Sequence, residues 1–298
     1  SFRSSSALNL KISQPRKVRF LPGFFINFTT MQTYIEIKNK KVPALGFGTF
    51  RMQGDDCLKG TVEALSIGYR HIDTAQAYAN EEEVGRAIKN SGVNRDEIFL
   101  VTKVTPRNFS KNNFLTSVEE SLKKLQTESI DLLLLHWPSD DETNKAAIAQ
   151  LAMAQQKNYT KLVGVSNFTL SQMEAARKEA DIFCNQVEYH PYLTQNKIRS
   201  YLEQHNMLLT AYRPLADGKI LNDSELISLS EKYSRTPAQI ILRWFIQQNG
   251  VSVIPKASDA NHRKENFHVF DFELSRVDMD KIFGLNKNER LVNPSWSP

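Results

Sequence analysis

The sequence predicts an α/β protein closed into a (β/α)8 barrel. Two observations carry this: short apolar runs recur along the chain, and amphipathic segments of helical period lie between them. Strands separated by helices pair in parallel, because each crossover returns the chain to the same edge, and eight such units close on themselves. A doubly wound open sheet is the alternative that periodicity alone leaves standing. The one glycine-rich candidate for a phosphate loop is Gly46-Phe47-Gly48. It lacks the third glycine of a dinucleotide-binding turn and follows a hairpin, so it supports that alternative weakly.

In chain order, residues 33–37 and 42–45 read as two short strands around the polar turn Asn39-Lys40-Lys41, a β-hairpin. The apolar runs follow at 45–48, 71–73, 99–103, 130–135, 162–165, 185–188, 208–212 and 251–255. Helical patterns fall at 56–67, 81–90, 110–125, 143–158, 169–179, 196–205, 224–233 with 237–247, and 261–266. A chain of 298 residues with 41% hydrophobic content can bury one large core, so residues 31–298 are expected to form a single barrel domain.

The 38 lysines and arginines outnumber the 33 acidic residues by five. Five basic residues, Arg3, Lys11, Arg16, Lys17 and Arg19, lie in the acid-free segment 1–30. The remainder is therefore neutral, which argues against a nucleic-acid partner for the body of the protein. The segment 1–30 is expected to be a transit-like peptide, a non-native stretch preceding a start at Met31, or an ordered arm. No apolar run approaches the roughly twenty residues of a membrane span. Two cysteines, Cys57 and Cys184, suggest neither a disulfide framework nor a cysteine metal site, and fit a reducing, cytoplasmic setting.

Catalytic groups of a parallel barrel come from the C-terminal ends of its strands. Asp73 closes the second run with Tyr78 in the loop after it, Lys103 closes the third, and His136 closes the fourth. Singly, each has a plain structural role: a helix cap, a half-buried loop aromatic, a solvated strand end, a satisfied core histidine. Together at neighbouring strand ends they make a proton-transfer set. A phenol of pKa about 10 is a weak acid; a lysine ammonium beside it would lower that value, and an aspartate would hold the lysine charged. A histidine aimed at the same spot would orient a carbonyl and stabilise the developing oxyanion. Carbonyl reduction by hydride needs these functions and no metal.

The segment Gly68-Tyr69-Arg70-His71-Ile72-Asp73-Thr74-Ala75-Gln76-Ala77-Tyr78, followed by Asn80-Glu81-Glu82-Glu83-Val84-Gly85, resembles the signature of the aldo-keto reductases. So do Val163-Gly164-Val165-Ser166-Asn167-Phe168, Asn185-Gln186-Val187-Glu188-Tyr189-His190-Pro191 and Ile254-Pro255-Lys256. The segment from Tyr212 to Lys219 and the ending Glu289-Arg290-Leu291-Val292 are similar to those of the bacterial 2,5-diketo-D-gluconate reductases, which also act on methylglyoxal.

The resemblance implies a TIM barrel with the hairpin closing its bottom, a monomer, and NADPH-dependent reduction of small aldehydes, α-oxoaldehydes or keto sugars. It implies Tyr78 as general acid, Lys103 and Asp73 as its tuning pair, and His136 as the substrate-orienting group. Ser166, Asn167 and Gln186 would hold the nicotinamide carboxamide, and Tyr212 would stack on its ring. Thr49 and Phe50 would line the mouth, with Arg213 and Leu215 along the cofactor. Lys256, Ser258, His262, Glu265 and Asn266 match the adenosine-phosphate end. Phe50, Thr105 and Trp137 would form the substrate pocket.

Several positions depart from the family pattern. Ala257 stands where Ser is usual, and His262 stands where an arginine normally clamps the 2′-phosphate, with Arg263 beside it. A neutral histidine offers neither permanent charge nor a bidentate fork. The preference for NADPH over NADH is therefore expected to be weaker, with Lys256 and Arg263 as compensating cations and NADH tolerated. Val104-Thr105 lacks the usual aromatic, which widens the pocket or makes it more polar. Arg213 replaces the usual Ser and either changes the grip on the pyrophosphate or forms a surface ion pair. Residues 216–222 leave no room for a long covering loop. A barrel serving as a catalytically idle, redox-sensing partner subunit is the alternative function; all four catalytic positions being filled argues for turnover.

Overall fold

The computed structural model describes residues 32–293, so the readings of segment 1–30 lie outside the described residues. β1 (Tyr34–Ile37) and β2 (Lys40–Pro43) pair antiparallel. The register Ile37↔Lys40 leaves a two-residue turn at Lys38 and Asn39, both with positive φ, rather than the 39–41 turn expected from composition. Such mirror-image turns match the twist of the flanking strands.

Eight parallel strands follow in simple sequential order. They are β3 (Phe47–Gly48), β4 (His71–Asp73), β5 (Phe99–Val104), β6 (Ile130–Leu135), β7 (Thr160–Ser166), β8 (Cys184–Glu188), β9 (Leu208–Tyr212) and β10 (Val251–Val253). The sheet closes. Leu45 bridges Val253 in parallel, Gly46 N–H donates to Val253 O at 2.8 Å, and Gly48 N–H donates to Pro255 O at 3.0 Å. Closure explains the glycine pair: a Cβ on Gly46 would stand 2.8 Å from both the His71 ring and Ile254. The pair serves close packing of the first strand, and the open-sheet alternative falls.

The helices form the outer layer: α1 (Gly54–Ile67), α2 (Glu81–Asn90), α3 (Phe114–Leu125), α4 (Asp141–Gln156), α5 (Leu170–Glu179), α6 (Asn196–Gln204), α7 (Ser224–Tyr233), α8 (Pro237–Ile246), α9 (Ala260–Phe267) and α10 (Arg276–Gly284). Thr169 and Thr236 start α5 and α8 with reciprocal capping boxes. α10 was absent from the sequence expectation, although Ser275 caps it by accepting from Asp278 N–H.

Two apolar layers result. One lies between strands and helices; the other fills the bottom of the barrel, where Ile37 and Val42 of the hairpin pack with Val101, Leu132, Leu134, Cys184 and Leu208. The hairpin thus closes the end opposite the strand C-termini. No helix among the described residues is long and apolar enough to cross a membrane.

Candidate active site

Strand alternation decides which side chains face the barrel axis. In β5, Phe99 and Val101 belong to the bottom plug, so Lys103 faces the same axis nearer the top. Thr102 between them points outward, donating to Glu81 of α2 at 2.6 Å. In β6, Leu132 and Leu134 face inward, and His136 is next in that series. Asp73, Ser166 and Tyr212 end β4, β7 and β9, and Gln186 stands two residues before the end of β8. The same period that builds the plug delivers these groups to one mouth.

Lys103 is fully buried and donates to Asp73 Oδ1 at 2.6 Å, to Thr74 O at 2.8 Å and to the Tyr78 hydroxyl at 3.4 Å. Asp73 Oδ2 accepts from Gln186 Nε2 at 2.8 Å. The network continues round the mouth: Ser166 Oγ donates to Gln186 O, Asn167 Nδ2 donates to Ser166 Oγ and His136 O, and the Tyr212 hydroxyl donates to Asn167 Oδ1 at 2.7 Å. Asn167 holds a left-handed backbone (φ 64°) at its strand end, a conformation asparagine tolerates better than most residues. The Tyr78 and His136 rings meet edge-on with centroids 5.5 Å apart.

The loop carrying Tyr78 is fixed by Asn80, a residue of the signature segment to which the sequence assigned no role. Asn80 accepts from Thr74 Oγ1 at 2.6 Å and donates to Thr49 O and Met52 O, both at 2.9 Å. Gln53 donates to Tyr78 O at 2.7 Å. An asparagine just before an acidic helix start was the available signal.

These groups open on a cleft of about 560 Å³. It is lined by the expected Phe50, Asp73, Tyr78, His136, Trp137, Ser166, Asn167, Gln186, Tyr212, Arg213, Leu215 and Lys256, and also by Arg51, Asp217, Ile254 and Val292. Two expected residues stand behind the wall. Thr49 is fully buried and donates to Asp73 O, and Thr105 is half-buried with its N–H given to Gln76 Oε1. Ser258, His262, Glu265 and Asn266 lie off the cleft, on and before α9; Lys256 bonds Ser258 and links the two regions.

Protonation differs from expectation in one respect. The Tyr78 phenol is pushed well above its usual value, first by burial and then by the negative charge of Asp73, with Arg213 opposing. A lowered value was expected because Lys103 is near, but Asp73 neutralises much of that cation. Burial pushes Lys103 down while Asp73 pulls it up. Burial and the Lys103 charge hold His136 at about 3, so its imidazole is neutral.

The sequence profile described as the aldo/keto reductase family matches residues 44–287. The chain belongs to the aldo/keto reductase family. Methylglyoxal reductase DkgB of Escherichia coli O157:H7 is 41% identical over 258 residues, covering 85% of this chain and 96% of that protein. A crystal structure provisionally assigned as a 2,5-diketo-D-gluconic acid reductase B superposes with a TM-score of 0.88 at 42% identity, covering 92% of this chain and 99% of the other. A variant of Gox0644 in complex with NADPH gives 0.83 at 33% identity, covering 88% and 97%. This aldo/keto reductase is therefore a nicotinamide-dependent oxidoreductase of the (β/α)8 class.

Two departures of this aldo/keto reductase acquire a structural account. Arg263 is not a free cation: it is buried, donates to Ala257 O at 3.0 Å and Ser258 O at 2.6 Å, and pairs with Glu63. It braces the loop before α9 and does not replace the missing clamp. His262 is exposed in the first turn of α9. Arg213 forms the ion pair weighed for it, with Asp217 at 2.8 Å, and both residues line the cleft.

Proposed function

We propose that this enzyme reduces small aldehydes and α-oxoaldehydes with NADPH, with Tyr78 delivering the proton to the substrate oxygen. The observation that carries the reading is that Asp73, Tyr78 and His136, from two strand ends and one loop, line a single cleft, with Lys103 buried behind it against Asp73 and the Tyr78 hydroxyl. The methylglyoxal reductase named among its relatives supports the substrate class.

The cleft suits a nicotinamide cofactor. Polar amides of Asn167 and Gln186 and the hydroxyl of Ser166 meet at its floor, the Tyr212 ring forms a flat wall, and Arg213 and Lys256 supply cations. Past Lys256 lies the N-terminus of α9, where the Asp259 carboxylate already accepts the Asn261 and His262 N–H groups, so Lys256 and Arg213 are the cations left to meet the cofactor's phosphates. A nicotinamide held there by Ser166, Asn167, Gln186 and Tyr212 would supply the hydride for the carbonyl carbon.

The chain's own residues manage the oxygen. The half-buried Tyr78 hydroxyl is protonated throughout the physiological range, because burial and Asp73 raise its pKa. It can therefore donate a hydrogen bond to the carbonyl before transfer and a proton to the alkoxide as charge develops. Lys103, 3.4 Å away, stabilises the phenolate left behind, and Asp73 keeps that ammonium aimed. Neutral His136 presents an imidazole edge without a competing positive charge. Phe50, 5.1 Å from the Tyr78 ring, and Trp137 form the apolar walls. With the aromatic absent at Val104-Thr105, keto sugars are further candidate substrates.

The direct test is loss of NADPH absorbance on adding methylglyoxal and a panel of aldehydes, dicarbonyls and keto sugars. Turnover with small carbonyls is expected. Cofactor binding with no turnover across the panel would instead favour the idle, redox-sensing role.

A further inference from the structure

Outside the proton-transfer set, one buried carboxylate is committed to a distant part of the chain. Glu188 ends β8, two residues beyond Gln186, and is 1% exposed. Its Oε1 accepts from His190 Nε2 at 2.9 Å and from Leu291 N–H at 2.7 Å, and its Oε2 accepts from Val292 N–H at 2.7 Å. Burial alone would push Glu188 up, but these bonds prevail and hold it below the usual carboxylate range, so the anion is the resting form.

The segment it grips has neither helix nor strand. Lys287 and Glu289 give their N–H groups to Tyr192 O at 3.0 and 3.1 Å, and beyond them the Glu188 carboxylate accepts the next two backbone amides that are bonded. Past that point the segment forms part of the active cleft: Val292 lines it, and the Arg290 guanidinium lies 5.9 Å from the ring centre of Trp137, another lining residue. A charged acceptor is the stronger partner for a backbone N–H. One carboxylate thus couples the floor of the barrel mouth to the wall that substrate meets.

We propose that Glu188 is a positioning residue for substrate: its carboxylate tethers Leu291 and Val292 and so fixes the C-terminal segment as a wall of the cleft. The proposal rests on the reductase reading, since it assigns that wall to the carbonyl substrate.

The test compares Glu188→Gln, a chain ending at Glu289, and the two changes together. Glu188→Gln replaces one acceptor oxygen by an amide donor that faces an N–H. KM for methylglyoxal is expected to rise about tenfold while kcat changes less than about threefold, the pattern of lost ground-state binding. NADPH affinity, read by quenching of protein fluorescence, is expected to stay within about twofold. The shortened chain is expected to show the same or a larger KM effect, and adding Glu188→Gln to it no further effect. A Glu188→Gln penalty that persists in the shortened chain overturns the proposal. Should Glu188→Gln not fold, amide hydrogen exchange on the intact protein decides: Leu291 and Val292 are expected to be protected, and exchange at free-peptide rates overturns the tether. Protected amides in a protein that reduces no carbonyl would contradict the reductase reading alone; unprotected amides in an active enzyme would contradict the tether alone.

Discussion

The Lys103 ammonium lies 2.6 Å from the Asp73 carboxylate, and the two side chains are 0% and 2% exposed. Breaking a buried pair by removing one partner leaves an uncompensated charge, typically at a cost of about 3–5 kcal/mol. Lys103→Met is therefore expected to lower unfolding free energy by about 3 kcal/mol, measured by denaturant titration, and to reduce kcat about 100-fold or more. The double change Asp73→Asn with Lys103→Met is expected to recover part of the stability but none of the activity. A Lys103→Met protein as stable as the parent would contradict the pairing.

Much of this site was legible in the sequence because one physical rule produces both its signal and its structure. A buried strand that ends in an ionisable residue is costly unless the barrel mouth receives it, which is why Asp73, Lys103 and His136 stood out. The same rule could not see Asn80, whose three hydrogen bonds are tertiary, nor the inward turn of Arg263 toward Ala257, Ser258 and Glu63. An arginine beside an exposed histidine looks the same in sequence whether it faces phosphate or the core. The Tyr78 shift was misjudged for a related reason: proximity to Lys103 was foreseen, but not the burial of the phenol, nor the Asp73 charge that adds to it. α10 was missed because its apolar face is short, although Ser275 and Asp278 carried a cap signal.

His262 occupies the first turn of α9 with its side chain exposed, and Arg263 is engaged elsewhere. The Michaelis constants for NADH and NADPH are accordingly expected to differ by less than about a thousandfold. His262→Arg supplies a fixed charge and a bidentate fork, and is expected to tighten NADPH about tenfold with NADH unchanged. Arg263→Lys is expected to lower stability with little change in that ratio. Steady-state kinetics with both cofactors and a thermal melt check the pair.

His71 is 1% exposed, and burial holds its imidazole at about 4 against Asp73, which opposes the shift. Because folding favours the neutral ring, the unfolded chain takes up a proton first as pH falls. Stability contributed by this group is intact above about pH 6.5 and is lost between there and about 4, with a slope of about 1.4 kcal/mol per pH unit at most. His71→Gln is expected to flatten the acid limb of the stability curve by about one proton. Parallel curves for the two proteins over that window would contradict the assignment.

Turnover in the reducing direction is expected to be nearly flat from about pH 5 to pH 9 with respect to these groups. Neutral His136, held at about 3, does not titrate in this window, and Tyr78, raised above its usual value, stays protonated. A pH profile of kcat/KM under saturating NADPH checks this. An inflection near 6.5 that disappears in His136→Gln would contradict it.

The claim on which the mechanism turns is that the Tyr78 hydroxyl gives its proton to the reduced carbonyl. The most direct measurement is kcat of Tyr78→Phe, paired with its NADPH dissociation constant. Loss of the hydroxyl is expected to lower kcat by a factor of about 100 to 10,000 while cofactor affinity stays within about twofold. Normal turnover by Tyr78→Phe would contradict the account.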